Sequence, residues 1–214
     1  MIKTVFRYLM GIAVVSLLAV SVQAETFKEG VDYKAVKTPG RIDDSSKIEV
    51  REFFWYGCPH CFKLEPYLET WLKTKPTDVN YVRTPGVMNR SWETHGKAFY
   101  AAKNLGILDK SHTNLFDSIH RDKRDLKTQK QLAKFYTDYG VTKKEFNDAF
   151  ESFGVSSSVR QADAMGRAYR LMGVPTIVVN GKYITNGSMS KDYKRWMRIV
   201  DYLVELERKN KPAI

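Results

Sequence analysis

The chain has 214 residues, 35 Lys and Arg against 24 Asp and Glu for a formal charge of +11, and two cysteines. That length holds one core of ordinary size. The basic residues are spread over many segments with no arginine-rich run or RNA-binding signature, so nucleic acid is not an expected partner, and the charge is read as a solvated basic surface.

The first residues, MIKTVFRYLMGIAVVSLLAVSVQAETF, place Lys3 and Arg7 ahead of an apolar run from Leu9 to Val22 and then Val22-Gln23-Ala24. This is the order of a secretory signal peptide, with cleavage expected after Ala24. The apolar run is too short for the roughly 20 residues a membrane-spanning helix needs. Without Lys3 and Arg7 the formal charge falls from +11 to +9. Export places both cysteines in an oxidising compartment where disulfides persist.

After a Pro39-Gly40 turn, KIEVREFFWY predicts a strand over 47–56. Ile48, Val50 and Phe54 share one face with Glu52; Arg51, Phe53 and Trp55 take the other. Apolar residues on both faces predict a strand covered on both sides. From Cys58 the period becomes helical, with Cys61, Leu64, Leu68 and Trp71 or Leu72 recurring through about Thr74. Pro59 falls in the first turn, where its missing N–H is harmless, and Pro66 is expected to kink the helix. DVNYVRT reads as a second strand.

Between Pro85 and Met172 there is no strand pattern. Helical stripes run through Phe99, Ala102 and Leu105, then Leu132, Phe135, Tyr136 and Tyr139, then Phe146, Ala149, Phe150 and Phe153. Capping boxes are expected at Thr128 with Gln131, Thr142 with Glu145 and Ser158 with Gln161, and stops at Gly140 and Gly154. A β-hairpin is expected in PTIVVNGKYIT around Asn180-Gly181. A closing helix from near Ser190 carries Tyr193, Trp196 or Met197, Val200, Leu203 and Val204. The expected organisation is a leader (1–24), an α/β domain from 25–85 with 173–214, and a helical insertion (86–172).

Chemistry concentrates in EFFWYGCPHCFKLEP. Cys58 stands at a helix N-terminus, where unpaired N–H groups and the helix dipole favour an anion, and His60 adds to this. Cys61, one turn deeper, faces the apolar stripe. Cys58 is therefore expected to attack or be attacked, and Cys61 to resolve the mixed disulfide. Stabilising the Cys58 thiolate favours the reduced pair, which makes the disulfide a stronger oxidant. Other readings stand beside this one. A structural staple closing so small a ring constrains little of the unfolded chain. Zinc lacks a second Cys or His pair, and a soft metal such as copper stays open. No metal and no cofactor beyond the redox-active pair is expected, and His95, His112 and His120 are assigned surface or core roles. Trp55, Tyr56 and Gly57 form an apolar lead-in that either meets substrate or packs on the fold.

The strand before FFWYGCPHCFKLEP, together with GVPTIVVNGKY near the C-terminus, resembles the thioredoxin superfamily and within it the DsbA family of periplasmic thiol:disulfide oxidoreductases. The resemblance spans nearly all of the chain after the leader and implies an α/β thioredoxin fold with an inserted all-helical domain. It implies Cys58 as nucleophile, Cys61 as the buried resolving thiol, His60, with Pro59, as thiolate stabiliser, and Val174 and Pro175 as a cis-proline loop offering backbone groups to a substrate peptide. Read from residues alone, Pro175 is a strand-start proline. Glu52 takes the position of an acid that relays a proton to the buried cysteine; the competing reading pairs it with a nearby lysine. Glu65 is expected to be a secondary charge. The implied activity is donation of the disulfide to reduced exported proteins by a monomer in the periplasm, with reoxidation by a quinone-linked membrane partner of the DsbB type. A reductase or isomerase, or a non-enzymatic peptide- or metal-binding module, is the alternative.

Overall fold

The computed structural model describes residues 25–210; the expected leader and its cleavage site after Ala24 lie outside the described residues. Five strands form one mixed sheet in the order β1-β5-β4-β2-β3: β1 (Lys34–Ala35), β2 (Ile48–Phe54), β3 (Val79–Pro85), β4 (Thr176–Val179) and β5 (Tyr183–Asn186). β2 and β3 run parallel, while the other neighbours are antiparallel. The crossover from β2 to β3 is α1 (Pro59–Thr74), which is unbroken through Pro66. α8 (Tyr193–Asn210) closes the chain after the single turn α7 (Gly187–Ser190). Between β3 and β4 stand only helices: α2 (Arg90–Asn104), α3 (Leu108–His120), α4 (Gln129–Tyr136), α5 (Lys143–Glu151) and α6 (Phe153–Ala168). This is the thioredoxin fold with an all-helical insertion.

All seven residues of β2 are buried, as two-sided apolar patterning predicts. Two of its buried charges are matched to each other: Arg51 donates to both Glu49 oxygens and to Thr84, and pairs with Asp43 at 2.9 Å. Burial without such partners would cost several kcal/mol. One core packs α1 and α8 on the sheet through Leu64, Leu68, Trp196, Val200 and Leu203. A second fills the helical layer, and Phe54, Tyr56, Cys58 and Cys61 belong to it. The Cys turn thus sits where the two cores meet.

Caps fix most helix starts. The boxes at Thr128 and Thr142 form, and Gly140 ends the turn after α4 at φ 88°. Asn180 and Gly181, both at positive φ, turn the β4–β5 hairpin. The third expected box is wrong. Ser158 lies inside α6 and donates to Gly154 O at 3.0 Å, while Ser152 caps that helix by accepting from Val155 N–H at 3.2 Å. Gly154 is accordingly in the first turn of α6 and stops nothing; Ser152 separates α5 from α6. The sequence pattern also passes over α3, whose N-cap is Ile107 with no side-chain cap bond.

Candidate active site

The site forms where the C-terminal end of β2 turns into α1, beside the loop that enters β4. Cys58 is the N-cap of α1 and Pro59 its first helical residue, a position where a missing N–H leaves no bond unmade. Cys58 N–H donates to Trp55 O at 2.9 Å, closing the turn. A Cβ at Gly57 would collide with the Trp55 indole, so only glycine lets that ring fold back over the turn and stack on Trp92, 4.6 Å away. Tyr56 is 1% exposed and belongs to the core. Of the apolar lead-in, then, Tyr56 packs inside and only Trp55 and Gly57 keep partial exposure.

Both cysteines are free thiols in the structure. Cys58 is nearly covered, and its Sγ–H donates to Val174 O at 3.4 Å; Cys61 is fully buried. The Cys58 thiol is pulled down from 9.0 to about 6. The largest cause is the hydrogen bond from Cys61, helped by the backbone N–H groups of Cys61 and His60 and by the His60 charge, against burial. Burial and the bond to Cys58 push Cys61 well up, and the charge of Glu52 pushes the same way. The pair is therefore polarised, with an outer sulfur that ionises and an inner one that holds its proton. His60 and Pro59 are exposed beside the outer sulfur. The Val174–Pro175 peptide is cis, and Pro175 stands directly before β4.

Beneath Cys61 lies a buried polar cluster that sequence reasoning caught only in part. Glu52, fully buried, accepts from Tyr81 Oη at 2.5 Å and stands 3.6 Å from Arg83 Nε. Its neighbour is thus an arginine and a tyrosine, not the lysine of the competing reading. Arg83 Nη2 also donates to Glu65 at 3.1 Å, making Glu65 the second arm of a carboxylate–guanidinium–carboxylate arrangement. Tyr56 Oη and His112 Nδ1 are 2.8 Å apart, and His112 Nε2 is 3.5 Å from Glu65. Burial pushes the His112 pKa well down, so this last approach is to a neutral ring. Burial and the charge of Glu65 raise Glu52, against Arg83 and Tyr81, and burial raises Glu65. Glu52 Oε1 has no hydrogen-bond partner among the described residues. A carboxyl whose pKa is raised to about 7 still carries its proton part of the time near neutrality.

Tyr81 and Arg83 alternate on one strand, so their shared face was readable; their placement opposite Glu52 required the β2–β3 register, in which Glu52 pairs with Arg83. His95 bonds Leu126 O and His120 bonds Tyr56 O, each at 2.8 Å, so these histidines serve packing and loop closure.

Residues 77–203 match the family model described as a DSBA-like thioredoxin domain. The thiol:disulfide interchange protein DsbA of Pseudomonas aeruginosa is 34% identical over 197 residues, covering 92% of this chain and 93% of the relative. That of Azotobacter vinelandii is 37% identical over 198 residues, covering 90% and 92%. The crystal structure of Pseudomonas aeruginosa DsbA superposes with a TM-score of 0.83 at 34% identity, covering 87% of this chain and 97% of that one. The family model covers more than half of the chain and the relatives' alignments 90% or more, and the chain belongs to the DsbA family of thioredoxin-fold thiol:disulfide oxidoreductases.

Proposed function

We propose that the chain is an exported dithiol oxidase that donates the Cys58–Cys61 disulfide to reduced proteins in the periplasm. The observation that carries this reading is the polarised pair: a Cys58 thiol lowered to about 6 above a Cys61 thiol raised by burial. A substrate thiolate attacks Cys58 Sγ, the Cys58–Cys61 bond breaks, and Cys61 leaves as a thiolate that takes a proton. Glu52, with its raised pKa and its charge felt at Cys61, is the proton donor in this step. A second substrate thiolate then attacks the substrate sulfur of the mixed disulfide. Cys58 leaves as a thiolate, which His60 and the backbone N–H groups at the start of α1 stabilise. The substrate gives two electrons to the protein and releases two protons: Cys61 ends protonated, one proton from the medium restores Glu52, and the other stays in the medium because Cys58 remains a thiolate.

Val174 and Pro175 take the role of substrate dock: the Val174 carbonyl that meets Cys58 is next to the reacting sulfur and can accept from an extended peptide. The redox-active pair is the only cofactor in this reading. Turnover requires an external oxidant, assigned to a quinone-linked membrane partner of the DsbB type, and the protein acts as a monomer after cleavage behind Ala24. The test is a Cys61→Ser variant charged with a mixed disulfide at Cys58 and mixed with a reduced, unfolded exported protein. Accumulation of a covalent complex through Cys58, absent in Cys58→Ser, is expected; failure to form it, with the wild-type disulfide also inert toward the same thiols, overturns the assignment.

A further inference from the structure

A groove of about 980 Å³ starts at His60 and the Val174–Pro175 peptide and passes between β1 and the turn joining β5 to α8. Leu171, Ile184 and Trp196 give it an apolar lining, and its walls carry four exposed cations, Lys34, Lys37, Arg170 and Lys191. One carboxylate lines it, Asp192, whose Oδ1 accepts from Arg195 N–H at the start of α8, at 2.8 Å. Three cations nearby are paired, Lys182 with Glu207, Arg167 with Asp163 and Arg195 with Asp32, whereas Lys194 has no ion pair of this kind among the described residues. Among the described residues the four groove cations form no ion pair of this kind; the charge of Lys191 is felt at Asp32, which Arg195 already holds.

Two of the four stand where the backbone favours glycine. Arg170 has φ 52° just past the end of α6, where Leu171 N–H bonds Gly166 O at 3.0 Å, and Lys191 has φ 66° between α7 and α8. A left-handed conformation is unfavourable for side-chain-bearing residues, and glycine would relieve it at both positions.

We propose that this groove selects reduced protein substrates whose segments flanking the reacting cysteine are acidic. The inference rests on the disulfide-donor reading and names its substrate class. A cysteine brought to Cys58 lays its flanking chain along Val174 and Pro175, and carboxylates there meet four cations with no partner of their own. Charge complementarity of this kind raises association rates by about 10-fold or more at low ionic strength and fades as salt screens it.

The test uses the oxidised protein and two dithiol peptides identical except that Asp and Glu in one are Asn and Gln in the other. Each rate is divided by the rate of the same peptide with a small neutral disulfide, which removes the effect of the flanking charge on the peptide's own thiols. At low salt the acidic peptide is expected to react about 10-fold faster, with the ratio approaching one at about 0.5 M salt. Combining Lys37→Gln, Arg170→Gly and Lys191→Gly should bring the low-salt ratio below about threefold. The two glycines relax the backbone, so the melting temperature should not fall. Lys143→Gln, an exposed change on α5, should leave the ratio as it was. Equal corrected rates for both peptides at low salt overturn the selectivity and leave the oxidase reading standing. If neither peptide is oxidised, the functional reading falls and the selectivity with it. If the triple variant keeps the peptide ratio but loses binding to anionic lipid vesicles, the cations serve a membrane surface and the proposal is refuted.

Discussion

Acidification should destabilise the reduced protein in a way the oxidised protein does not share. A thiol whose folded pKa is depressed contributes stability that is complete above its unfolded pKa and lost as pH falls through the folded one. For Cys58 those limits are 9.0 and about 6. At about pH 7 the difference in ionisation stabilises the folded reduced state by ~1.4 kcal/mol, and at about pH 5, where the thiol is protonated in both states, by almost nothing. Solvent reaching the outer side of the sulfur screens part of this and leaves about 1 kcal/mol. Cys61 adds nothing in this window, because its pKa is raised and its unfolded thiol is also protonated below about pH 8. Glu52 and Glu65 titrate in both redox forms and cancel when the two are compared. The assay is urea unfolding of reduced and oxidised protein at the two pH values, with the change in the oxidised form subtracted. A loss of about 1 kcal/mol specific to the reduced form is expected. Cys61→Ala, which removes the largest stabiliser of the thiolate, should raise the pH at which Cys58 reacts with an alkylating reagent. Equal pH dependence of the two redox forms, or a Cys58 that titrates as an ordinary thiol, would show that the fold does not stabilise the Cys58 thiolate.

Glu52→Gln keeps the shape of the buried acid but not its proton, and should slow opening of the disulfide by about 10-fold or more in stopped-flow reactions with a dithiol; an unchanged rate would remove Glu52 from proton transfer. Arg83→Met leaves Glu52 and Glu65 buried without their cation and should cost about 3–5 kcal/mol at neutral pH. Because both carboxyls have raised pKa values, that loss should shrink as they protonate on acidification, read by denaturation at the two pH values; a pH-independent loss would mean the arginine acts by packing. Ser152→Ala should cost about 1 kcal/mol, and Ser158→Ala no more than about 0.5 kcal/mol, in thermal unfolding; the reverse order would place the α6 cap at the wrong serine.

The catalytic turn was legible because its signals are local. A two-sided apolar strand, a change of period at Cys58 and a proline in the first helical turn need no partner to be read. The capping boxes at Thr128 and Thr142 are equally local, since each is satisfied within four residues. Ser158-Gln161 carries the same pattern yet sits mid-helix, because α6 had already started at Ser152; spacing alone cannot say which of two serines meets the free N–H groups. The α3 helix was missed for want of any cap side chain, although its buried His112, Leu115 and Phe116 recur at helical spacing. Arg83 and Tyr81 were invisible as site residues because their role depends on a strand register. The cis geometry at Pro175 came from family likeness, since the isomer is fixed by tertiary context.

A Cys58–Cys61 disulfide that acts as a donor must be easily reduced at equilibrium. The purified protein is equilibrated with glutathione buffers, and its reduced and oxidised forms are counted by thiol alkylation and mass. The stabilised Cys58 thiolate predicts a potential clearly above that of thioredoxin, about −270 mV, so that the disulfide is reduced even in mildly reducing buffer. A value at or below that of thioredoxin would make the same pair a reductant and not a donor.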